Sequence, residues 1–198
     1  MKDLVKAGYN QIAEMYSAKR DQFKNNKYLD FLVRLLPSGA TILDLGCGSG
    51  LPIAKYFDER SFKVIGLDIS EKQIELARAN VPRATFEVKD ISELIAGQYR
   101  VDAVVSFYTL SHLPKEDHES LIRRINSFLS VGGLMLITMG ASDWEGTEEN
   151  FHGVKMWWSH FGPEKNRKMV EDAGFEIIVD EIDSSGGENH QVILARKR

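Results

Sequence analysis

Three glycines at alternate positions close the stretch "TILDLGCGSG", residues 41–50, straight after a short apolar run that carries Asp44. Glycine permits positive φ and lets a ligand touch backbone that a Cβ would block. The spacing narrows the ligand. A dinucleotide fingerprint is G-x-G-x-x-G, whereas Gly46, Gly48 and Gly50 give G-x-G-x-G, the third glycine one position early. A P-loop needs G-K-[ST], and no lysine follows until Lys55. Both phosphate readings fail on the residues, and Asp44 beside the loop suits a cationic ligand better than a pyrophosphate. An ordinary tight strand-to-helix turn is the plainer alternative.

Two further acids follow at steps of 22 residues from Gly46, Asp68 ending "VIGLD" and Asp90 ending "FEVKD". A carboxylate at the first position can accept from both hydroxyls of a ribose, and one at the second from an exocyclic amine such as that of adenine. Either alone is as readily a solvated strand-end acid. Three acids on three successive strands, with a glycine loop at the first, read as one ligand site.

The elements that must hold these residues follow from periodicity. Residues 3–19 and 21–36 show apolar residues at helical spacing, the second run ending at Pro37-Ser38-Gly39. From residue 40 strands alternate with helices: strands at 40–45, "FKVIGLDIS", "ATFEVKD", "VDAVVSFY" and "LMLITMG", with helices at 50–60, 71–80 and from Pro114. Ser70 and Gln73 read as an S-x-x-Q capping box, residues 91–97 as a short helical turn or loop, and Gly132-Gly133 as the stop of the Pro114 helix. A last helix runs from Pro163 to a C′ glycine at Gly174, and "FEIIVDEI" with "QVILARK" forms a terminal hairpin. The pattern predicts an α/β fold with a sheet parallel through most of its width and an antiparallel edge. Ligands of such sheets bind at the carboxyl ends of the strands.

Taken together, "LDLGCGSG", "GLDIS", "VKD" and "DAVVSFYTLSHLP" resemble the class I S-adenosylmethionine-dependent methyltransferases of small-molecule type, over about residues 5–140. The resemblance implies a Rossmann-like seven-stranded sheet, mostly parallel, with helices on both faces and a C-terminal antiparallel hairpin. It implies S-adenosyl-L-methionine as cofactor and S-adenosyl-L-homocysteine as product. Gly46, Cys47 and Gly48 would line the methionine part, with Asp44 near its amino group. Asp68 would hold the ribose, Ile69 would pack on the adenine, and Asp90 and Ile91 would meet the adenine edge. Ser106, Phe107 and Tyr108 would flank the transferring methyl. The opening helix, "YNQIAEMYSAKR", resembles the family's frequent lid, with Tyr9, Tyr16 and Arg20 near the cofactor; Asn10 stands where aspartate is common.

Methyl transfer from a sulfonium needs a base only where the acceptor must lose a proton. His112, with Tyr108 beside it, is the first candidate; the same histidine could instead pack against the cofactor as wall. Residues 141–162 show no clean period but hold Trp144, Phe151, Trp157, Trp158 and Phe161, with His152 and His160. We read this as an aromatic substrate insert, with Trp144, Trp157, Trp158 and His160 as acceptor-binding candidates; a core cover or dimer contact is the alternative. Asp143, His152 and His160 match no metal-ligand pattern, and no metal is expected.

The chain has 198 residues, fitting one domain across residues 1–198, with 1–36 as a helical lid. A net charge of −4 provides no basic field for nucleic acid, and a single cysteine, Cys47, permits no internal disulfide. Neither a membrane span nor a signal h-region is present, so a cytoplasmic protein is expected, as monomer or homodimer. There is no "[DNS]PP[YFW]" after the fourth strand and no cysteine there either, which argues against amide, base-amine and cytosine C5 acceptors. A small-molecule O- or N-acceptor is the leading expectation. A cofactor-binding module without transfer, and a protein or RNA methyltransferase, are the alternatives.

Overall fold

A computed structural model describes residues 1–19, 26–185 and 187–198. Two helices, α1 (Lys2–Ala18) and α2 (Asn26–Leu35), precede the alternation of β1 (Thr41–Leu45), α3 (Ile53–Asp58), β2 (Lys63–Asp68), α4 (Glu71–Asn80), β3 (Thr85–Val88) and β4 (Val101–Ser106). Then come α5 (Lys115–Phe128), β5 (Leu129–Gly140), a hairpin of β6 (Trp144–Phe151) and β7 (Val154–His160), α6 (Pro163–Asp172), β8 (Phe175–Asp183) and β9 (His190–Lys197).

The main sheet has seven strands in the order β3-β2-β1-β4-β5-β9-β8. Strands β1 to β5 pair in parallel, and β9 runs antiparallel to both β5 and β8. Alternate residues face opposite sides. Ile42 joins a core with Leu29 and Leu32 of α2, Phe57 of α3 and Ile74 of α4. Its neighbour Leu43 joins another with Leu121 and Ile125 of α5 and Val170 of α6. Both faces are thus covered by helices, which is why the central strands are apolar throughout rather than alternating.

The chain leaves β1 for β2 and β3 on one side and returns to β4 on the other. Between β1 and β4 lies the switch point, where helices on opposite faces part and leave a crevice at the strands' carboxyl ends. The glycine loop leaves β1 at this point, and residues 107–112 leave β4 beside it.

Three expectations change. The 141–162 region is a two-stranded antiparallel sheet, with Trp144 opposite His160 and Thr147 opposite Trp157. Helix α5 stops at Phe128, and Gly132-Gly133 lie inside β5. Val101 pairs with Leu129 but Ala103 with Leu134, so the glycine pair sits in a bulge of the strand. The helix after the glycine loop is also short, starting at Ile53 with Pro52 as its N-cap residue. The beginning of the second expected helix, 21–25, lies outside the described residues.

Among the described residues no helix is long and apolar enough to cross a membrane.

Candidate functional site

The glycine loop is pinned from behind. The Gly46 and Cys47 amides both donate to the Leu67 carbonyl, at 2.7 and 2.9 Å, and the Gly50 amide closes the turn on Cys47 O at 3.0 Å. Gly46 has φ 74°, and a Cβ there would fall 2.0 Å from Thr109 Oγ1. This glycine lets the β1 and β4 loops touch. Gly48, at φ 52°, differs: a Cβ there would meet only Gln73 Oε1, at 3.8 Å. Its open side belongs to a cleft of about 940 Å³, mouth included.

Asp68 ties the two first strand ends together. One carboxylate oxygen accepts from the Gly48 amide and the other from the Ser70 amide, each at 2.9 Å. Burial raises its pKa, and those backbone donors pull the other way. An ionised carboxylate has about four acceptor positions, so two protein donors leave capacity for a ligand's hydroxyls.

Asp90 accepts from the Ser92 amide at 2.8 Å and pairs with Lys2 of α1 at 3.2 Å. Burial works against its charge, but the Ser92 and Lys2 hydrogen bonds prevail and its pKa is lowered. Asp44 is buried in β1 between Gly66 and Val105.

Helix α1 lies over this edge. Lys6 pairs with Glu71, and Asn10 bridges three groups: Oδ1 accepts from Ser70 Oγ and the Lys72 amide, while Nδ2 donates to Glu71. The amide is the reason asparagine works here, since an aspartate would set a second carboxylate against Glu71. The other side of α1 packs on β7 through Val5, Ile12, Val154 and Met156.

His112 is buried and held at both nitrogens. Nδ1 lies 2.9 Å from the Trp157 carbonyl, and Nε2 lies 2.8 Å from the Tyr9 hydroxyl. A carbonyl only accepts, so Nδ1 carries the hydrogen and Nε2 accepts the hydrogen bond that the Tyr9 hydroxyl donates. Burial lowers the pKa to about 4, with the Trp157 hydrogen bond opposing, so the ring is neutral at pH 7. Trp158 lies against it, with ring centroids 4.1 Å apart.

The cleft is lined by Tyr9, Tyr16, Asp44, Gly46, Cys47, Gly48, Asp68, Ile69, Asp90, Ile91, Phe107, Tyr108 and His112, all expected near the ligand. Ser106 stands apart from it: fully buried, its hydroxyl donates to the Leu45 carbonyl at 2.8 Å and ties β4 to β1. Arg20 lies outside the described residues. Trp144, Trp158 and His160 line a neighbouring cavity, whereas Trp157 is buried and lines neither. Cys47 is buried, and burial, followed by the nearby charges of Asp44 and Asp68, raises its thiol well above the usual range. That keeps it protonated and inert.

Residues that the sequence did not place at the ligand also line the cleft, among them Lys2, Lys89, Thr109 and Gln73. Gln73 completes only half the expected capping box. Its amide donates to Ser70 Oγ at 3.1 Å, but its side-chain nitrogen and oxygen are buried without a hydrogen-bond partner among the described residues. Buried amides are ordinarily satisfied, so this one marks where a polar ligand belongs. Among the described residues no group of three or more His, Cys, Asp or Glu is arranged to hold a metal ion.

The family model of a methyltransferase domain matches residues 18–179. A trans-aconitate 2-methyltransferase of Variovorax paradoxus is 36% identical over 107 residues, covering 52% of this chain and 40% of that protein. A 27-O-demethylrifamycin SV methyltransferase of Amycolatopsis mediterranei is 34% identical over 116 residues, covering 54% and 42%. The chain thus spans less than half the length of these curated relatives. In fold, a Burkholderia thailandensis 1,6-didemethyltoxoflavin-N1-methyltransferase, solved with its acceptor and S-adenosylhomocysteine, superimposes with a TM-score of 0.75 at 21% identity, over 97% of this chain and 86% of that one. With four-fifths of its length inside the family model and the sheet order, switch-point cleft and glycine loop in place, the chain belongs to the methyltransferase-domain family, class I of the S-adenosylmethionine-dependent enzymes.

Proposed function

We propose that this protein transfers a methyl group from S-adenosylmethionine to an oxygen or nitrogen atom of a small-molecule acceptor. The observation that carries the reading is the Gly48–Asp68 pair: a strand-end carboxylate held by the bare loop's own amide, at the mouth of the switch-point cleft. The open side of Gly48 and the orphaned amide of Gln73 fit a nucleoside with a polar amino-acid tail. When bound, S-adenosylmethionine supplies an electrophilic methyl, which bonds to the acceptor's lone pair as the carbon–sulfur bond breaks with its electrons remaining on sulfur.

Every other contribution belongs to the chain. Asp68 anchors the ribose hydroxyls, Ile69 and Ile91 flank the adenine, and Asp90 faces its amine while holding Lys2. Gly46, Cys47, Gly48 and Asp44 receive the methionine end, with Tyr16 contributed from helix α1. Helix α1 and the β6–β7 hairpin close over the site and exclude water, which strengthens the electrostatic contacts inside. Positioning of this kind supplies much of the barrier lowering for an already activated donor. His112 has its basic nitrogen on Tyr9, so any proton it accepts reaches it through the Tyr9 hydroxyl. Tyr108 stands between the cleft and the neighbouring cavity and orients the acceptor.

The small-molecule reading is supported by the acceptors named for its relatives, and by a net charge of −4, which disfavours a polyanionic substrate. The test is incubation with methyl-labelled S-adenosylmethionine and a pooled metabolite extract. Label recovered in low-molecular-weight products supports the proposal. Bound cofactor with no transfer to small molecules would identify a cofactor-binding module, or a methyltransferase for macromolecules.

A further inference from the structure

Beside the cofactor cleft lies a second cavity of about 770 Å³, mouth included. The two share Tyr108, and Trp158, which lies on His112 of the cleft, lines the second. Besides Tyr108 and Ser111, its lining comes from three stretches far apart in sequence: the end of β5 with Ala141 and Ser142, the β6–β7 hairpin, and residues 188–190. The cavity is therefore a chamber next to the site of transfer, with walls independent of the glycine loop.

Its lining is mainly aromatic and acidic, with two imidazoles, His160 and His190, the latter paired with Glu188. Tyr108, Trp144 and Trp158 provide aromatic faces, while Glu148 and Glu188 provide two carboxylates; no lysine or arginine is among the described lining residues. Glu188 is held ionised by its hydrogen bond to His190, which outweighs burial. That contact is 3.2 Å long, and the His190 ring in turn meets Tyr108 edge-on at 4.7 Å. Aromatic faces attract cations through their quadrupoles, and carboxylates at a partly enclosed mouth concentrate them. The buried indole N–H of Trp158 has no hydrogen-bond partner among the described residues, a donor that an oxygen of a bound molecule would satisfy.

We propose that this second cavity is the acceptor chamber and that it takes a small molecule bearing a cationic nitrogen, a separate neutral oxygen or nitrogen of which supplies the lone pair for the methyl and releases its proton, if it carries one, to water. The proposal rests on the small-molecule methyl-transfer reading above and narrows it to one substrate class.

All three tryptophans of the chain lie in the hairpin, so their fluorescence reports on this chamber without any turnover. Protein saturated with S-adenosylhomocysteine is titrated with phenethylamine and, separately, with phenylacetate, two probes of similar shape and opposite charge. The expected result is saturable binding of phenethylamine at least about tenfold tighter than phenylacetate. In E148Q/E188Q that preference collapses by about tenfold, as expected for two exposed carboxylates, while S-adenosylhomocysteine affinity stays unchanged and reports intact folding. Equal binding of the two probes, no binding of phenethylamine, or a preference that survives the double substitution overturns the proposal.

A second arm separates it from its foundation. Products of the labelled transfer, first freed by chromatography of residual S-adenosylmethionine, itself a cation, are divided on cation- and anion-exchange resins at neutral pH. Label retained on the cation exchanger supports a cationic acceptor. Label on the anion exchanger or in the flow-through refutes the cationic class and leaves small-molecule transfer standing. No labelled small molecule at all refutes both.

Discussion

Alanine at Gly48 separates what the glycine loop does for a ligand from what it does for the fold. Residue 48 has φ 52°, a left-handed conformation in which a Cβ costs about 1–2 kcal/mol. Nothing else opposes the methyl, because its nearest neighbour is Gln73 Oε1 at 3.8 Å, an ordinary contact. For a domain of this size 1 kcal/mol corresponds to about 2–4 °C, so Gly48→Ala should melt about 2–8 °C low and remain folded at 25 °C. Gly46→Ala carries the same conformational cost at φ 74°, and its Cβ would also sit 2.6 Å from Thr109 Cβ. Overpacking adds about 1–3 kcal/mol, so its melting point should fall further, by about 4–20 °C. Differential scanning fluorimetry measures both, and titration calorimetry with S-adenosylhomocysteine measures the ligand. Gly48→Ala should lose at least about tenfold in affinity despite its mild thermal defect, because the new methyl would project into the open side of the cleft proposed to hold the ligand. A Gly48→Ala protein that binds as tightly as the parent, or a Gly46→Ala protein as stable as Gly48→Ala, would refute this division of labour.

The pH dependence of stability should carry a contribution from His112. Its folded pKa of about 4 lies below the ordinary 6.5, so the unfolded chain binds the extra proton first. The stabilisation is whole above pH 6.5 and is lost as pH falls towards 4, amounting to about 3 kcal/mol; His112→Gln should flatten the melting-temperature profile in that window, and an unchanged profile would contradict a buried neutral ring. Cys47 should react with iodoacetamide at pH 7.5 far more slowly than a free thiol, and at an ordinary rate in denaturant; fast native labelling would place the thiol in solvent.

The parts of the fold legible in the sequence are those set by local backbone demands. The glycine loop and strand-end acids are legible as neighbours lining one cleft because strand phase alone brings Asp44, Asp68 and Asp90 to one edge. The α/β alternation was legible because buried parallel strands are apolar runs bounded by turn residues. The hairpin was not, because "WEGTEENF" is exposed along nearly all of β6 and offers no alternation to read. The Gly132-Gly133 pair reads as a helix stop when a bulge is equally compatible, and only pairing with β4 decides. The partners of His112, Tyr9 and Trp157, come from distant elements, so its neutral, double-bonded state has no sequence signal. Gln73 was visible, but as a cap; its turn towards the cleft depends on α4 packing beside the loop. The second cavity draws on the β8–β9 turn, which the sequence marks only as a connection.

The central claim is that the switch-point cleft holds S-adenosylmethionine through Asp68. Its most direct test is titration calorimetry of S-adenosylhomocysteine into the parent protein and Asp68→Ala, with circular dichroism confirming that both are folded. One molecule per chain should bind the parent, and Asp68→Ala should bind at least about tenfold more weakly, since each hydrogen bond to a charged carboxylate contributes about 1.5–3 kcal/mol. No binding to the parent, or equal affinity in the two proteins, would contradict it.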